Sequence, residues 1–142
     1  MIVSIQGPSL QVIVSGIISY STAIPNNVYV EKTAGSVIGI HKVVKVGDDG
    51  KVYYVSCDVL SDAYKVVGLS LNSANVGENV RILLFGKLQD NSFNFDTAKP
   101  IFLGLNGQIV QELPGEAQFI QVLGKVLNSN EILFDLDEPI IL

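Results

Sequence analysis

The 142-residue chain contains one cysteine, Cys57, and one histidine, His41. A single cysteine cannot close an internal disulfide, so no disulfide framework holds this fold together. A structural zinc site takes about four Cys, His or carboxylate ligands, and one Cys with one His leaves the usual sets out of reach. Charge is scarce as well: Asp, Glu, Lys and Arg make up 16% of the residues, against about 25% in an average domain. No Lys or Arg precedes Lys32, so the basic start of a secretory signal is missing. The most apolar early run, Leu10 to Ile24, is interrupted by Gln11, Ser15, Gly16, Ser19, Ser21 and Thr22. A spanning helix needs about 20 mostly apolar residues. The expectation is an unprocessed, soluble chain with no membrane partner.

What the chain has in quantity is hydrophobic side chains, 48% of the total. That excludes intrinsic disorder, which goes with low hydrophobicity and high net charge. Nine basic against fourteen acidic residues give a net charge of −5. This sign argues against nucleic acid, which is bound by neutralising phosphates, and against anionic lipid surfaces. The length suits one domain, or one domain plus an arm. So much hydrophobic surface in a soluble chain asks for a buried subunit interface.

Helical periodicity is almost absent. Short runs rich in Val, Ile, Tyr and Phe are split by Gly, Asn, Asp and Pro, the signature of strands and turns. The expected fold is all-β, a compact barrel or sandwich of short antiparallel strands. Residues 1–32 form an N-terminal strand or arm, and residues 33–142 form the barrel-like domain. In Gln11–Tyr20, Val12, Val14, Ile18 and Tyr20 share one parity and Ile13 and Ile17 the other, so both faces ask to be covered. Val28–Val30 is a short strand. Val37–Val46 and Lys51–Ser56 read as a hairpin over Gly47-Asp48-Asp49-Gly50. A polar connector, Asp58–Ala63, precedes strands at Tyr64–Leu71 and Asn79–Leu88. Pro100–Leu105 and Gln108–Gln111 flank Asn106-Gly107, the strongest short hairpin signal. Phe119–Leu127 and Glu131–Leu136 make a last hairpin over Asn128-Ser129-Asn130. Gly68, Gly86 and Gly124 each sit among apolar residues inside a strand, which marks a bend or a close backbone approach. Three such strands predict a curved sheet or small barrel.

Few residues carry chemistry. His41, inside the Val37–Val46 strand, is expected on a solvent or subunit face. A role as general base or metal ligand needs partners that no sequence signature supplies. Cys57 lacks the base or helix N-terminus that activates a thiol and reads as a small buried hydrophobe. Asp48-Asp49-Gly50 resembles a piece of a calcium loop, but a strand follows where the closing Glu belongs, so it reads as a turn. Asp135 and Asp137, beside Glu138, share a parity. They offer a carboxylate pair for hydrolysis or a calcium site, and the plainer expectation is a solvated face. Phe93 and Phe95 stand in the polar loop Gln89–Lys99 and leave two readings open. They are an exposed aromatic pair for a protein or sugar, or rings folded back to cap the core. No phosphate loop and no nucleophile elbow is present. The expectation is a protein that is not an enzyme, with no cofactor and no metal.

From Ala34 onward the order of features resembles a family of small β-rich bacteriophage virion proteins, the capsid decoration (cement) and head-fibre proteins. The stretches that carry the resemblance begin with Gly47-Asp48-Asp49-Gly50-Lys51-Val52-Tyr53, then Tyr64–Leu71 with its central Gly68, and Gly77-Glu78-Asn79-Val80. The aromatic pair Phe93-Asn94-Phe95 follows, then Lys99–Gly104, Asn106-Gly107, Gln121-Val122-Leu123-Gly124 and the closing Pro139-Ile140-Ile141-Leu142. Related modules occur in tail and baseplate proteins. The resemblance implies a non-enzymatic virion protein, assembled in the host cytoplasm, that decorates or stabilises the capsid or forms a head-fibre base. It implies a homotrimer in contact with the major capsid protein or another virion protein. The alternative is a tail-associated module that recognises a host sugar or protein. Closing a ring of copies buries apolar surface and removes strand edges. The expected assembly residues are therefore Val12, Val14, Ile18 and the Pro139, Ile140, Ile141 and Leu142 tip, with Phe93 and Phe95 as anchors.

Overall fold

Residues 27–142 are described by a computed structural model. The predicted Gln11–Tyr20 strand, with Val12, Val14 and Ile18, lies outside them. Within them the β-branched and aromatic runs form eleven strands. These are β1 (Val28–Thr33), β2 (Val43–Val46), β3 (Val52–Tyr54), β4 (Gly68–Ser70), β5 (Asn79–Gln89), β6 (Ile101–Leu103), β7 (Ile109–Val110), β8 (Phe119–Ile120), β9 (Val122–Asn128), β10 (Glu131–Phe134) and β11 (Ile140–Ile141). Eight of the nine strands in one antiparallel sheet run in the order β3-β2-β4-β5-β10-β9-β6-β7, and β1 pairs with β5 off this path. Leu83 of β5 faces Tyr29 of β1 on one side and Leu69 of β4 on the other, so among the described residues β1 forms an outer edge. A separate small sheet joins β11 to β8. The large sheet curls into a half-barrel, the all-β architecture expected from the sequence.

Glycines permit the curl. Phe134 of β10 is paired with Gly86 on one neighbour and Gly124 on the other, so one buried ring is flanked by two residues without side chains. Gly124 has φ +147° and Gly86 φ +139°, and a Cβ on Gly124 would lie 1.9 Å from the Leu133 carbonyl oxygen. At Gly68 the added atom would lie 2.1 Å from the Leu83 carbonyl oxygen. These are the close backbone approaches predicted for strand glycines.

The sheet covers two cores, one on each face. Val43, Leu69 and Leu83 form a row across β2, β4 and β5 and enter the main core with Ile101, Leu103, Phe119, Leu123, Ile132 and Phe134. The alternate residues Val44, Val80 and Ile82 enter a second core with Ala34, Ile38, Val52 and Ala74. Successive strand residues point to opposite faces, so apolar residues on both parities are what a sheet covered on both sides needs. A backbone bridge between Ile38 and Ala74 draws two loops over the second core.

Several predicted strands are shorter than their apolar runs. The Val37–Val46 run does not extend as one strand: β2 begins at Val43, because the chain turns through His41 at φ 57°. The Tyr64–Leu71 run keeps only Gly68–Ser70, since Tyr64 stands at φ 68° and is exposed. Val28–Val30, by contrast, lengthens to Thr33 by pairing along β5. The polar connector after Cys57 holds a short 3-10 turn, Leu60–Asp62, that buries Asp62. Its carboxylate pairs with Lys45 and accepts the Ser56 N–H at 3.0 Å. A charge this buried is tolerated because it is paired and hydrogen-bonded.

The ends of the sheet approach each other at a seam. The chain just past β3 meets the β6–β7 hairpin there: the Cys57 N–H donates to the Gly104 carbonyl at 3.0 Å, and the Gly107 N–H donates to the Val55 carbonyl at 2.7 Å. The hairpin turn takes Asn106 at φ 50° and Gly107 at φ 77°, the pair of positive φ values for which Asn-Gly is favoured. A Cβ on Gly107 would sit 2.8 Å from the Val43 carbonyl oxygen, so only glycine lets the hairpin lie this close to β2.

Candidate functional site

The turn before β2 is held by one buried hydroxyl residue. Ser70 Oγ donates to the Gly39 carbonyl at 2.6 Å and accepts the Lys42 N–H at 2.9 Å. Its backbone N–H donates to the Lys42 carbonyl, and its carbonyl accepts the His41 N–H, each at 2.8 Å. Left-handed backbone costs a non-glycine residue of order 1–3 kcal/mol and persists where the surroundings over-determine it. Four hydrogen bonds to Ser70 do that for His41. The Tyr54 hydroxyl accepts the Gly39 N–H at 2.7 Å and secures the start of the turn.

The imidazole is oriented from a distant loop. His41 Nδ1 lies 2.6 Å from Asp90 Oδ2. An ionised carboxylate only accepts hydrogen bonds, so Nδ1 carries the proton. Hydrogen bonds from Ser92, from its backbone N–H and then its hydroxyl, hold the Asp90 carboxyl below the usual carboxylate range, with His41 adding to the effect. Phe93 follows on the same loop, its ring centroid 5.8 Å from that of His41 and 4.9 Å from that of Phe95. Both phenylalanines are half-buried and pack against the main core.

These residues line an open cleft of about 320 Å³ at the seam, with Lys42 and Asn94 beside the rings and Gln108, Ile109 and Val110 of the β6–β7 hairpin opposite. The volume falls at the small end of ligand sites, about 300–1,000 Å³. The two readings of Phe93 and Phe95 meet here, since the rings rest on the core and also form a cleft wall. Among the described residues the cleft holds no hydrolytic triad. That arrangement needs a hydroxyl bonded to the imidazole nitrogen that faces away from the carboxylate. The Ser92 hydroxyl bonds instead to Asp90 Oδ1, at 2.8 Å.

The remaining candidates lie elsewhere. Cys57 is fully buried, and burial, followed by the neighbouring Asp58 carboxylate, pushes its thiol above the ordinary value. That is the inert state of a packed thiol. Asp49 is committed within its own hairpin, where it accepts the Lys51 N–H at 3.0 Å and the Tyr53 hydroxyl. Asp135 and Asp137 are exposed and border a second cleft with Pro100, Lys125 and Leu133. Among the described residues no three His, Cys, Asp or Glu side chains gather as a metal site would require. Pro139 is half-buried, while Ile140, Ile141 and Leu142 are exposed. Among the described residues no helix is long and apolar enough to cross a membrane.

Three residues of the seam site escape a reading of the sequence: Lys42 on the cleft wall, and Asp90 and Ser70, which hold His41 in place from outside the wall. Asp90 stands 49 residues from His41, and no spacing rule joins positions that only the curl of the sheet brings together. No family model matches this chain, and no curated protein is significantly similar to it.

Proposed function

We propose that the protein is a non-enzymatic structural protein of a bacteriophage virion that works as a homo-oligomer, most simply a trimer. It decorates or stabilises the capsid or forms a head-fibre base. The observation that carries the assembly part is the C-terminal strand. Ile140, Ile141 and Leu142 are 57%, 48% and 66% exposed, on a strand whose main chain is already paired to β8. Consecutive large apolar side chains left bare on both faces of a paired strand offer surface for a partner to cover. The outer edge strand β1 adds Val28, Tyr29 and Val30, exposed beside Phe85 of β5. The virion setting rests on the resemblance of the segments from Ala34 to Leu142.

Light scattering across a dilution series tests the assembly. The expected mass is three times 15.3 kDa. The double substitution Ile140→Ser with Ile141→Ser keeps the main-chain pairing and should lower that mass. A monomeric wild type, or a double variant with unchanged mass, overturns the reading.

The seam cleft supports a second reading, a tail-associated module that recognises a host sugar or protein. Its aromatic wall, oriented imidazole and open shape are the parts of a recognition site. On this reading Phe93→Ala weakens host attachment and leaves the virion intact. On the first, the same change loosens the protein from the capsid.

A further inference from the structure

Lys42 sets the chemistry of the cleft. Among the described residues, Lys42 and Lys45 are half-buried while the other lysines and Arg81 are exposed. Lys45 has the Asp62 carboxylate as counter-ion. Lys42 has no carboxylate within ion-pair distance among the described residues. Its stem passes between two glycines: a Cβ on Gly39 would lie 3.6 Å from its Cγ and 3.7 Å from its Cε, and one on Gly107 would lie 3.4 Å from its Cβ.

The cleft wall carries Lys42 and His41 and no carboxylate, in a chain whose net charge is −5. Asp90, which orients the His41 imidazole, is already engaged. One oxygen meets His41, and the other accepts the Ser92 N–H and hydroxyl, both at 2.8 Å. A partly desolvated cation without a counter-ion is costly unless something pairs with it. The rest of the wall supplies apolar rings from Phe93 and Phe95 and amides from Asn94 and Gln108. Aromatic rings pack on the apolar face of a sugar, and amides exchange hydrogen bonds with hydroxyls.

We infer that the seam cleft binds a carboxylate-bearing sugar of an acidic glycan, with its ring against the phenylalanines and its carboxylate on Lys42. This rests on the second reading above, that the cleft recognises a host ligand, and adds the chemical class. Charge-assisted bonds are about twice as strong as neutral ones, so the carboxylate supplies the preference for acidic over neutral sugars.

The test is a calorimetric and NMR titration of the full chain with three acidic oligosaccharides. These are a glucuronate–N-acetylglucosamine repeat, an oligogalacturonate and a sialic-acid-terminated lactose. Each is run against its neutral counterpart, in which the carboxyl is reduced to an alcohol or the acidic sugar is absent. At least one acidic probe should bind roughly tenfold or more tightly than its neutral partner, the size of a lost charge-assisted bond. Lys42→Met should remove that difference, and Lys42→Arg should retain most of it. Added salt should weaken the acidic ligand alone, a measurement that needs no variant. Equal binding of acidic and neutral partners overturns the charge inference and leaves the recognition reading standing. Silence from every probe overturns the glycan inference and leaves the recognition reading only its protein ligand.

Discussion

A methyl group at Gly124 would meet the Leu133 carbonyl at 1.9 Å in a backbone already at φ +147°. Both the clash and the strain must then be relieved by opening the strand pair. Gly124→Ala should cost roughly 2–4 kcal/mol of stability, read as a lower denaturation midpoint. A loss below about 0.5 kcal/mol would mean the bend at this residue is not required. Asp90 gives a second prediction at this scale, with a defined sign. Its folded-state pKa is depressed by the Ser92 hydrogen bonds and by His41. It therefore contributes stability that is fully present above the unfolded value, about pH 4, and is lost as pH falls through the lower folded value. Melting temperatures from pH 6 down to 2 should fall more steeply for the wild type than for Asp90→Asn. Parallel curves would count against the Asp90 contacts.

At the scale of elements, β5 shows why one strand serves two purposes. Its first half has neighbours on both edges, β1 and β4. Its second half passes to β10, and the loop that follows delivers Phe93 and Phe95 to the cleft and Asp90 to the His41 imidazole behind its wall. The loop is polar in composition yet anchored: the Phe95 N–H donates to the Ser129 carbonyl at 2.9 Å, and the Asp90 N–H donates to the Asn130 carbonyl at 2.9 Å. The turn between β9 and β10 thus supports the cleft from behind. Strand β11 has the opposite character, with its backbone satisfied and its side chains bare. The Ile140→Ser and Ile141→Ser pair separates these features, since it changes the surface and leaves the pairing in place.

At the scale of the whole molecule, the seam joins fold to site. Gly107 sits where the β6–β7 hairpin closes on β2, and the same contact supports the Lys42 stem. Gly107→Ala should therefore lower stability by about 1–3 kcal/mol and weaken ligand binding in the cleft together. Calorimetric unfolding alongside the glycan titration checks both. Full stability with normal binding would show that the close approach is dispensable.

The sequence by itself determined the all-β class, the Asn106-Gly107 and Gly47–Gly50 hairpins, and the close approaches at the strand glycines Gly68, Gly86 and Gly124. Each depends on local rules: alternation along a strand, the φ values that Asn and Gly tolerate, and the space a missing Cβ leaves. That Phe93 and Phe95 share one side of their loop was also legible, because residues two apart in an extended stretch point the same way, and their rings meet at 4.9 Å. Tertiary structure alone decided that His41 leaves its apolar run for a left-handed turn, since the four bonds that hold it come from Ser70, a distant residue on β4. It alone placed Asp90 on the imidazole and left Lys42 half-buried without a counter-ion. Those pairings depend on how far the sheet curls, and curl is a sum over many strand contacts that no short stretch of sequence records.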